Sequence, residues 1–378
     1  MKQNKTTRFT TLKKWYVAFS IICTNFIVLL VLFEGVSFLA LKVRYGRNQA
    51  QLLEFDYAPY RMMKVKAAPW PLNPEGFRAK PLNHYLNSSR KRFRIVFLGG
   101  SVCAGYGGNN GPPLPNLLQK RLYKLGIANV EIINLGQAGA VSAQELAILI
   151  QYGLKLKPQF VVSFNGLNDL FHPRPLGPDE APNLPYENHL LRDLWKGSWY
   201  NRTSLWRLLA SKPPAPQINE VPVESIVSSY VQTMDLTHKL TKAYGITHAV
   251  LLQPSSWLNK PLSPKERHFI ETRYKPRHMK RGALLFQKAI HAFNDWSRQD
   301  DSRHFFDLTS AFAHEEKLIY EDTNHFANRS GYPRLLEMLE NKGFIDQILN
   351  EYSAWKQDIM SKSRSDFKVP QESIDQGD

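Results

Sequence analysis

Residues 93–107 read FRIVFLGGSVCAGYG, and the architecture of the chain can be worked out from this stretch. Its first six residues are apolar or β-branched except for Arg94, and two glycines follow, which predicts a buried strand that ends in a tight turn. Ser101 lies on that turn, at the carboxyl end of the strand, where open α/β sheets place their ligands. The turn therefore holds either an approachable, functional serine or a serine that only caps the next helix.

Predicted strands and helices alternate along the chain from residue 93 onward. The strands are predicted at 93–98, 130–135, 160–164, 248–252 and 304–308. The helices are predicted at 112–125, 142–156, 225–244, 284–296 and 329–352. This alternation is typical of a three-layer, flavodoxin-like α/β sandwich with a mainly parallel five-stranded sheet, and we predict such a domain over residues 93–357. Ser142 and Glu145 are expected to form a capping box at the start of the second helix.

Two insertions interrupt the alternation. Residues 170–222 contain many prolines and aromatics, and the roles open to them are packing, a lid or a membrane-facing patch. Residues 255–281 carry eight lysines and arginines, which favours a solvated charged loop. Binding of an acidic glycan or of lipid head groups is the alternative for this second insertion.

The N-terminus has the pattern of a membrane anchor. Residues 1–14 carry five basic residues and no acid, and residues 15–41 are largely apolar. At about 1.5 Å per residue, a helix of this length crosses the roughly 30 Å hydrocarbon core of a bilayer. Phe38 stands where a signal peptide cleaved after Ala40 needs a small residue, so the sequence favours an uncleaved transmembrane helix.

The charges on either side of this helix predict its orientation. Five basic residues precede the span and three follow it closely, which places the N-terminus in the cytoplasm and the rest of the chain outside it. With two cysteines and no disulfide framework, the chain is expected in a bacterial inner membrane with a periplasmic domain. Residues 42–92 are then a juxtamembrane connector that packs on the domain, and the polar residues 358–378 are a disordered tail.

The composition restricts the partners. A chain of 378 residues with 43% hydrophobic content can bury a sizeable core. Its net charge of +16 favours anionic partners such as phospholipid head groups or acidic glycans. We find no zinc-finger spacing, RNA-binding signature or basic zipper, so nucleic acid is not expected, and neither is a metal or cofactor. Cys103, beside the turn, is expected to be a packing residue rather than a second nucleophile.

Two motifs follow the second and third predicted strands. In NLGQAG, residues 134–139, Gly139 lets a backbone N–H point into the cleft with no side chain in the way. In FNGLND, residues 164–169, Asn168 can offer its side-chain amide to a developing oxyanion. Taken alone, an Asn-Asp pair after a strand is more often turn chemistry. Because both motifs follow the carboxyl ends of strands, we expect them to converge on Ser101.

A further motif, DTNH at residues 322–325, precedes the last predicted helix. His325 can remove the proton of Ser101 while Asp322 accepts a hydrogen bond from the other ring nitrogen. The chain has 11 histidines, and an arbitrary one is more often a surface or core residue than a base. It is the order of the motifs along successive strands that favours a catalytic set.

That order resembles the SGNH hydrolases, also called GDSL-type esterases. The resemblance implies that Ser101 is the nucleophile and, through its N–H, one donor of the oxyanion hole. It implies that Gly139 and Asn168 are the other two donors. It also implies that His325 and Asp322 complete a catalytic triad.

The resemblance covers about residues 93–352 and departs from the family at one place. Residues 99–102 read Gly-Gly-Ser-Val, where the family name spells Gly-Asp-Ser-Leu. The missing aspartate is not a member of the triad, so the implied chemistry is unchanged. The substrate is left open, because members of the family act on acyl groups of lipids, glycans and small esters.

The sequence thus predicts a membrane-anchored, extracytoplasmic serine acyl-ester hydrolase or O-acyltransferase that acts on O-acetyl groups of cell-envelope or exopolysaccharide glycans. A lipid-directed esterase is the enzymatic alternative, since a tethered site and an aromatic-rich insertion could face the bilayer. A catalytically silent module that holds an anionic glycan with its basic insertion is the alternative from a different class.

Overall fold

The computed structural model describes most of the chain, in two compact units. The described residues are 3–45, 54–68, 70–88, 92–107, 111–171, 221–258, 260–327 and 329–365. The N-terminal helix belongs to the first unit and the α/β domain forms the second.

The first unit contains helix α1 (Gln3–Tyr45), and its apolar part has the length of a membrane span. Residues Lys13–Ala40 include an 18-residue window with a mean hydropathy of 2.4. No other helix in the described ranges is long and apolar enough to qualify as a membrane span. A membrane anchor and a signal sequence share this composition. The long apolar helix is therefore confirmed, and its retention as an anchor remains a prediction.

The second unit contains the remaining described strands and helices. The strands are β1 (Glu54–Ala58), β2 (Met62–Ala67), β3 (Phe93–Gly99), β4 (Val130–Asn134), β5 (Phe160–Asn165), β6 (Thr247–Leu252) and β7 (His304–Asp307). The helices are α2 (Leu82–Asn87), α3 (Ser101–Ala104), α4 (Leu114–Lys124), α5 (Ser142–Ile148), α6 (Leu167–Phe171), α7 (Val223–Ala243), α8 (Pro264–Arg273), α9 (Pro276–Arg298), α10 (Gly331–Asn341) and α11 (Phe344–Ser365). Helix α5 continues as a π-helical turn and a 3₁₀ turn to Leu156.

Strands β3 to β7 form one parallel sheet in the order β4-β3-β5-β6-β7, while β1 and β2 form a separate antiparallel hairpin. Counted along the chain, the sheet order is 2-1-3-4-5, which is the flavodoxin-like order, so the predicted fold class is confirmed. In this order the chain direction across the sheet reverses at β3, so the switch point lies between the carboxyl ends of β3 and β5. Ligands of open α/β sheets bind at such a switch point.

The alternating side chains of β3 show how the layers are held together. Phe93, Ile95 and Phe97 are fully buried against α4, α10 and α11 on one face of the sheet. Val96 and Leu98 point to the other face, where they are buried with residues of α5. Helices α7 and α9 cover the rest of that second face. The sheet is thus buried on both sides, which explains the continuous apolar run of its central strand.

Arg94, the lone charged residue of β3, is buried by the connector predicted at residues 42–92. Its guanidinium donates to the Tyr85 carbonyl oxygen at 2.5 Å and to the Leu156 carbonyl oxygen at 2.8 Å, and its Nε lies 3.1 Å from Glu131 Oε2. Tyr85 belongs to α2, so this part of residues 42–92 contacts the central strand. A buried guanidinium is tolerated here because its N–H groups have acceptors.

The capping box predicted from Ser142 and Glu145 is wrong. The N–H of Val141, the residue before α5, donates to the Gln144 side chain instead, at 3.1 Å. Ser142 donates from its N–H and Oγ to Asp169, and Glu145 accepts from Asn165. Long-range partners have taken both members of the predicted local pair.

The closing helix predicted at 329–352 is two helices, α10 and α11. Gly343, with φ 74°, lies between them in the left-handed region that favours glycine. Helix α11 runs to Ser365, past the predicted end of the domain at residue 357. Its Tyr352 and Trp355 pack edge-on against Phe93 of the central strand.

The disordered tail predicted at 358–378 is therefore wrong for residues 358–365, which continue α11. Residues 366–378 lie outside the described part of the chain. So does nearly all of the first insertion, of which only residues 170–171 and 221–222 are described.

The second insertion is not the solvated loop that its charge favoured. Helix α8 and the first turns of α9 lie within residues 255–281. Ser263 Oγ caps α8 by accepting from the Glu266 N–H at 3.4 Å, and Pro264 occupies the first helical position. The basic residues lie mainly on the exposed faces of these helices, whereas Glu266 and Ile270 of α8 are buried.

Candidate active site

Ser101 begins the one-turn helix α3 directly after the central strand. A Cβ on Gly99 would lie 2.2 Å from the Phe164 carbonyl oxygen, so only glycine allows β3 to approach β5 this closely at the turn. Gly100 precedes the helix, and no side chain caps it. The interpretation of Ser101 as a helix cap is therefore wrong, and its hydroxyl is committed elsewhere.

A chain of hydrogen bonds joins Ser101, His325 and Asp322. Ser101 Oγ lies 2.7 Å from His325 Nε2, and His325 Nδ1 lies 2.5 Å from Asp322 Oδ2. Burial alone would raise the pKa of Asp322, but the neighbouring His325 and the hydrogen bonds to the carboxylate lower it below its ordinary value. An ionised aspartate on Nδ1 orients the ring so that Nε2 can accept the serine proton.

The segment that carries Asp322 and His325 folds back on itself. Asp322 Oδ1 accepts from the N–H groups of Asn324 at 2.9 Å and His325 at 2.8 Å. The N–H of Glu321 donates to the His325 carbonyl oxygen at 2.9 Å. An isolated parallel bridge between Gly107 and the residue after His325 brings this fold beside the serine turn. Backbone contacts therefore fix where the imidazole lies.

Asn168, the second residue of α6, lies beside the serine turn. Its Nδ2 would be 2.6 Å from a Cβ on Gly100, the residue before Ser101. One N–H of this amide donates to the Ala140 carbonyl oxygen at 2.7 Å. An amide nitrogen carries two N–H groups, so the second can serve a developing oxyanion at Ser101.

Gly139 lies in the turn closed by the hydrogen bond from the Ala140 N–H to the Gln137 carbonyl oxygen at 3.1 Å. Its φ of 76° falls in the left-handed region that favours glycine. It directly precedes Ala140, whose carbonyl oxygen holds Asn168. The turn of Gly139 and the amide of Asn168 are thus joined to each other next to the serine.

Asp169 fastens these two motifs from behind. Its carboxylate accepts from Ser142 Oγ at 2.5 Å and from the Ser142 N–H at 3.0 Å. Burial raises the pKa of Asp169 to about 6, against the lowering effect of the hydrogen bonds from Ser142. Sequence analysis included Asp169 in the FNGLND motif but assigned it no role. Its contact with Ser142 shows that it holds the Gly139 turn against α6.

The connector contributes aromatic and basic residues that sequence analysis missed. The ring of Tyr106 packs edge-on against His325 with 4.6 Å between centroids, and Trp70 packs on Tyr106 with 6.2 Å. The Arg78 guanidinium lies 4.8 Å from the Trp70 ring and donates to the Gly105 carbonyl oxygen at 3.2 Å. Trp70 and Arg78 lie in a proline-rich stretch without periodicity, which offered no signal for this contact.

Cys103 is a packing residue, as predicted. It is fully buried in the core beneath the serine turn, and burial raises the pKa of its thiol well above the ordinary value. A thiol that resists ionisation is a poor nucleophile. Within the described ranges, no three or more His, Cys, Asp and Glu residues are grouped in a way that could hold a metal ion.

No protein-family model and no curated protein matches the chain, whereas several solved structures do. A GDSL-like lipase from Bacteroides thetaiotaomicron is 13% identical, with a TM-score of 0.38 over 68% of this chain and 89% of the other. A lipase/acylhydrolase from Enterococcus faecalis is 17% identical, with a TM-score of 0.38 over 66% and 95%. A catalytic mutant of an acetylxylan esterase from Geobacillus stearothermophilus is 13% identical, with a TM-score of 0.38 over 65% and 92%.

These matches include the GDSL type that the four motifs resemble. At identities of 13–17% and TM-scores of 0.38, they do not decide the chemistry of this chain. That chemistry is inferred from the residues and distances of its own site.

Proposed function

We propose that this chain is a serine acyl-ester hydrolase or O-acyltransferase of the SGNH, or GDSL-type, family. The observation that carries the proposal is the continuous chain of hydrogen bonds from Ser101 through His325 to Asp322 at the switch point of the sheet. Two further residues support it: the Asn168 amide on α6 lies beside the serine turn, and it donates to the Ala140 carbonyl oxygen, next to Gly139. A catalytically silent module has no need of this arrangement.

Ser101 Oγ attacks the carbonyl carbon of the ester while its proton passes to His325 Nε2. The tetrahedral intermediate collapses as His325 returns that proton to the departing oxygen, so the alcohol leaves and the acyl group stays on Ser101. Water, deprotonated by His325, then attacks the acyl carbon and releases the acid and the free serine. If a sugar hydroxyl replaces the water, the acyl group is transferred instead.

The negative charge of each tetrahedral intermediate develops on the former carbonyl oxygen. The N–H groups of Ser101 and Gly139 and the side-chain amide of Asn168 stabilise it. Donors fixed in advance in a site of low dielectric constant stabilise this charge more than water does, since they need no reorganisation. Asp322 stays ionised throughout and stabilises the imidazolium that forms after each proton transfer.

The substrates that we propose are O-acetyl groups on anionic or neutral glycans of the cell envelope, with the domain outside the cytoplasm and α1 as its anchor. Two features support this choice: the apolar part of α1, which follows the basic residues of positions 1–14, and the net charge of +16. A tethered enzyme meets envelope polymers at the membrane surface, and a basic domain attracts those that carry carboxylates.

The test uses the full-length chain in detergent micelles, with Ser101→Ala as the background. We expect release of acetate from a chromogenic acetyl ester and from an O-acetylated envelope polysaccharide, and loss of both in the variant. Hydrolysis of long-chain esters in phospholipid vesicles without any acetate release would favour a lipid-directed esterase. A folded protein that acts on none of these substrates, with water or with a glycan acceptor, would contradict the proposed function.

A further inference from the structure

The basic insertion contains a buried ion pair that faces the loop of the catalytic aspartate and histidine. Lys260 Nζ lies 2.7 Å from Glu266 Oε2, and the two side chains are 1% and 0% exposed. Lys260 also donates to the Pro261 carbonyl oxygen at 2.8 Å. Burying two charges costs free energy unless further hydrogen bonds satisfy the remaining polar atoms. The other hydrogen-bond partners of Glu266 therefore indicate the role of the pair.

Those partners are backbone amides at two distant places in the chain. Glu266 Oε2 accepts from the Ser263 N–H at 2.8 Å, which closes the capping box of α8. Glu266 Oε1 accepts from the N–H groups of Ile319 at 3.1 Å and Tyr320 at 2.9 Å. Tyr320 lies two residues before Asp322, so one carboxylate ties the insertion to the start of the catalytic loop.

A second tie holds the middle of the same loop. The carbonyl oxygen of Thr323, between Asp322 and His325, accepts from the Ser256 N–H at 2.9 Å, Ser255 Oγ at 3.0 Å and Ser256 Oγ at 3.1 Å. The first residues of the insertion therefore hold the peptide that separates the two catalytic side chains.

We propose that Glu266 is a positioning residue for the triad and that the insertion, through Glu266 and the Ser255-Ser256 pair, sets where Asp322 and His325 lie relative to Ser101. The proposal rests on the proposed function, because it assigns Glu266 a part in the same reaction. It gives residues 255–281 a role other than the charge-based ones that their sequence suggested.

The charge of Glu266 is suited to this role. Burial alone would raise its pKa, but the hydrogen bonds from Lys260, Ser263 and Tyr320 lower it below the ordinary value, so the group is a carboxylate at neutral pH. A carboxylate only accepts hydrogen bonds, and its two oxygens together have room for these three donors and the Ile319 N–H. Lys260 compensates the buried charge without taking the oxygen that faces the loop.

Losing the tie should change the rate of the chemical step more than substrate binding. His325 must lie within hydrogen-bond reach of Ser101, and a misplacement of about 1 Å can cost about 100-fold in rate. Because the Glu266 side chain is buried and cannot contact substrate, KM should change little.

The experiment compares Glu266→Ala, the double variant Lys260→Met/Glu266→Gln and the control Glu271→Ala, which alters an exposed glutamate of the same helix. Each full-length protein, in detergent micelles, is assayed for kcat and KM with 4-nitrophenyl acetate. Hydrogen exchange is followed in the peptides of residues 319–325 and, as a check of the fold, 93–99.

We expect Glu266→Ala to lower kcat about 10- to 100-fold with KM within about threefold, and to speed exchange in 319–325 but not in 93–99. The double variant should recover kcat to within about fivefold of wild type, because the amide oxygen of glutamine can still accept from the loop while no lysine charge is left buried. Glu271→Ala should behave as wild type in both measurements.

Wild-type kcat and exchange in a folded Glu266→Ala protein would overturn the proposal. If Glu266→Ala does not fold, the double variant provides the test. A folded double variant with a kcat below one per cent of wild type would also overturn the proposal. Exchange in 319–325 tests the tie independently of catalysis. A wild-type protein that hydrolyses no ester but shows the expected exchange pattern would therefore count against the proposed function alone.

Discussion

Among the described residues, two serine–histidine pairs have nearly the same short distance, and only one of these two has the surroundings of a catalytic site. Ser101 Oγ is 2.7 Å from His325 Nε2, and Ser163 Oγ is 3.0 Å from His248 Nε2. Ser101 follows the central strand at the switch point, whereas Ser163 lies within β5 and is fully buried. A short serine–histidine distance is therefore not enough to identify a nucleophile.

The two histidines differ most in the hydrogen-bond partner of their second ring nitrogen, Nδ1. His325 Nδ1 has the carboxylate of Asp322, while His248 Nδ1 has no hydrogen-bond partner among the described residues. Burial, with the nearby His238 and His304, lowers the pKa of His248 to about 3, so this ring is neutral at every physiological pH. His248 packs in the core, and His325 can take and return a proton.

Replacing each histidine by glutamine should give the largest difference in activity between the two serine–histidine pairs. His325→Gln removes the base, and kcat for a chromogenic acetyl ester should fall by about 10⁴-fold or more. His248→Gln keeps a hydrogen-bonding side chain beside Ser163 and should leave kcat per folded molecule within about threefold of wild type. Similar losses in the two variants, at matched helical content by circular dichroism, would mean that the catalytic assignment is wrong.

The amide beside Ser101 should provide the next largest effect. Asn168→Ala removes the side-chain donor that we assign to the oxyanion hole, so kcat should fall by about 100- to 1,000-fold, with KM changed much less. Steady-state kinetics on the full-length protein would measure both constants. A loss confined to KM would show that Asn168 binds substrate and does not stabilise the transition state.

The buried histidine should instead control stability in acid. The unfolded chain binds a proton at a histidine pKa of about 6.5, but folded His248 does so only near pH 3, so the free energy of unfolding falls as pH drops through this window. Between pH 6.5 and 5 the loss is about 2 kcal/mol. Asp169, with a pKa raised to about 6, titrates in the same range with the opposite sign, but it is present in wild type and variant alike.

Denaturant unfolding of wild type and His248→Gln at both pH values isolates the contribution of His248. The wild-type protein should lose about 2 kcal/mol more than the variant on acidification. Equal losses would contradict the assignment of His248 as a neutral core residue.

The parallel sheet could be predicted because each of its strands is a short apolar run bounded by turn residues. The errors arose where tertiary contacts compete with local signals. Ser142 could not form its capping box because Asp169, on another helix, binds it. The insertion was expected to be a loop because it carries eight basic residues, most of which the structure leaves exposed. The few buried positions that fix α8, such as Glu266 and Ile270, give no clear periodic signal.

The part of the candidate site that consists of short motifs could also be predicted. The prediction rested on the order of the motifs, each of which follows a strand or precedes the last helix: Ser101, Gly139, Asn168 and the Asp322-His325 pair. Their roles as catalytic residues stay predictions. The supporting residues could not be found from local pattern, since Glu266 contacts an amide 54 positions away and the connector reaches the site through the long-range contacts of Trp70 and Arg78.

Covalent labelling of the full-length protein in detergent with a fluorophosphonate, followed by mapping of the adduct by mass spectrometry, tests the central claim most directly. The reagent requires an activated serine. We predict an adduct on Ser101 and none on Ser163, with labelling lost in Ser101→Ala and kept in Ser163→Ala. A folded protein without an adduct on Ser101, or labelling that persists in Ser101→Ala, would contradict the assignment of Ser101 as the nucleophile.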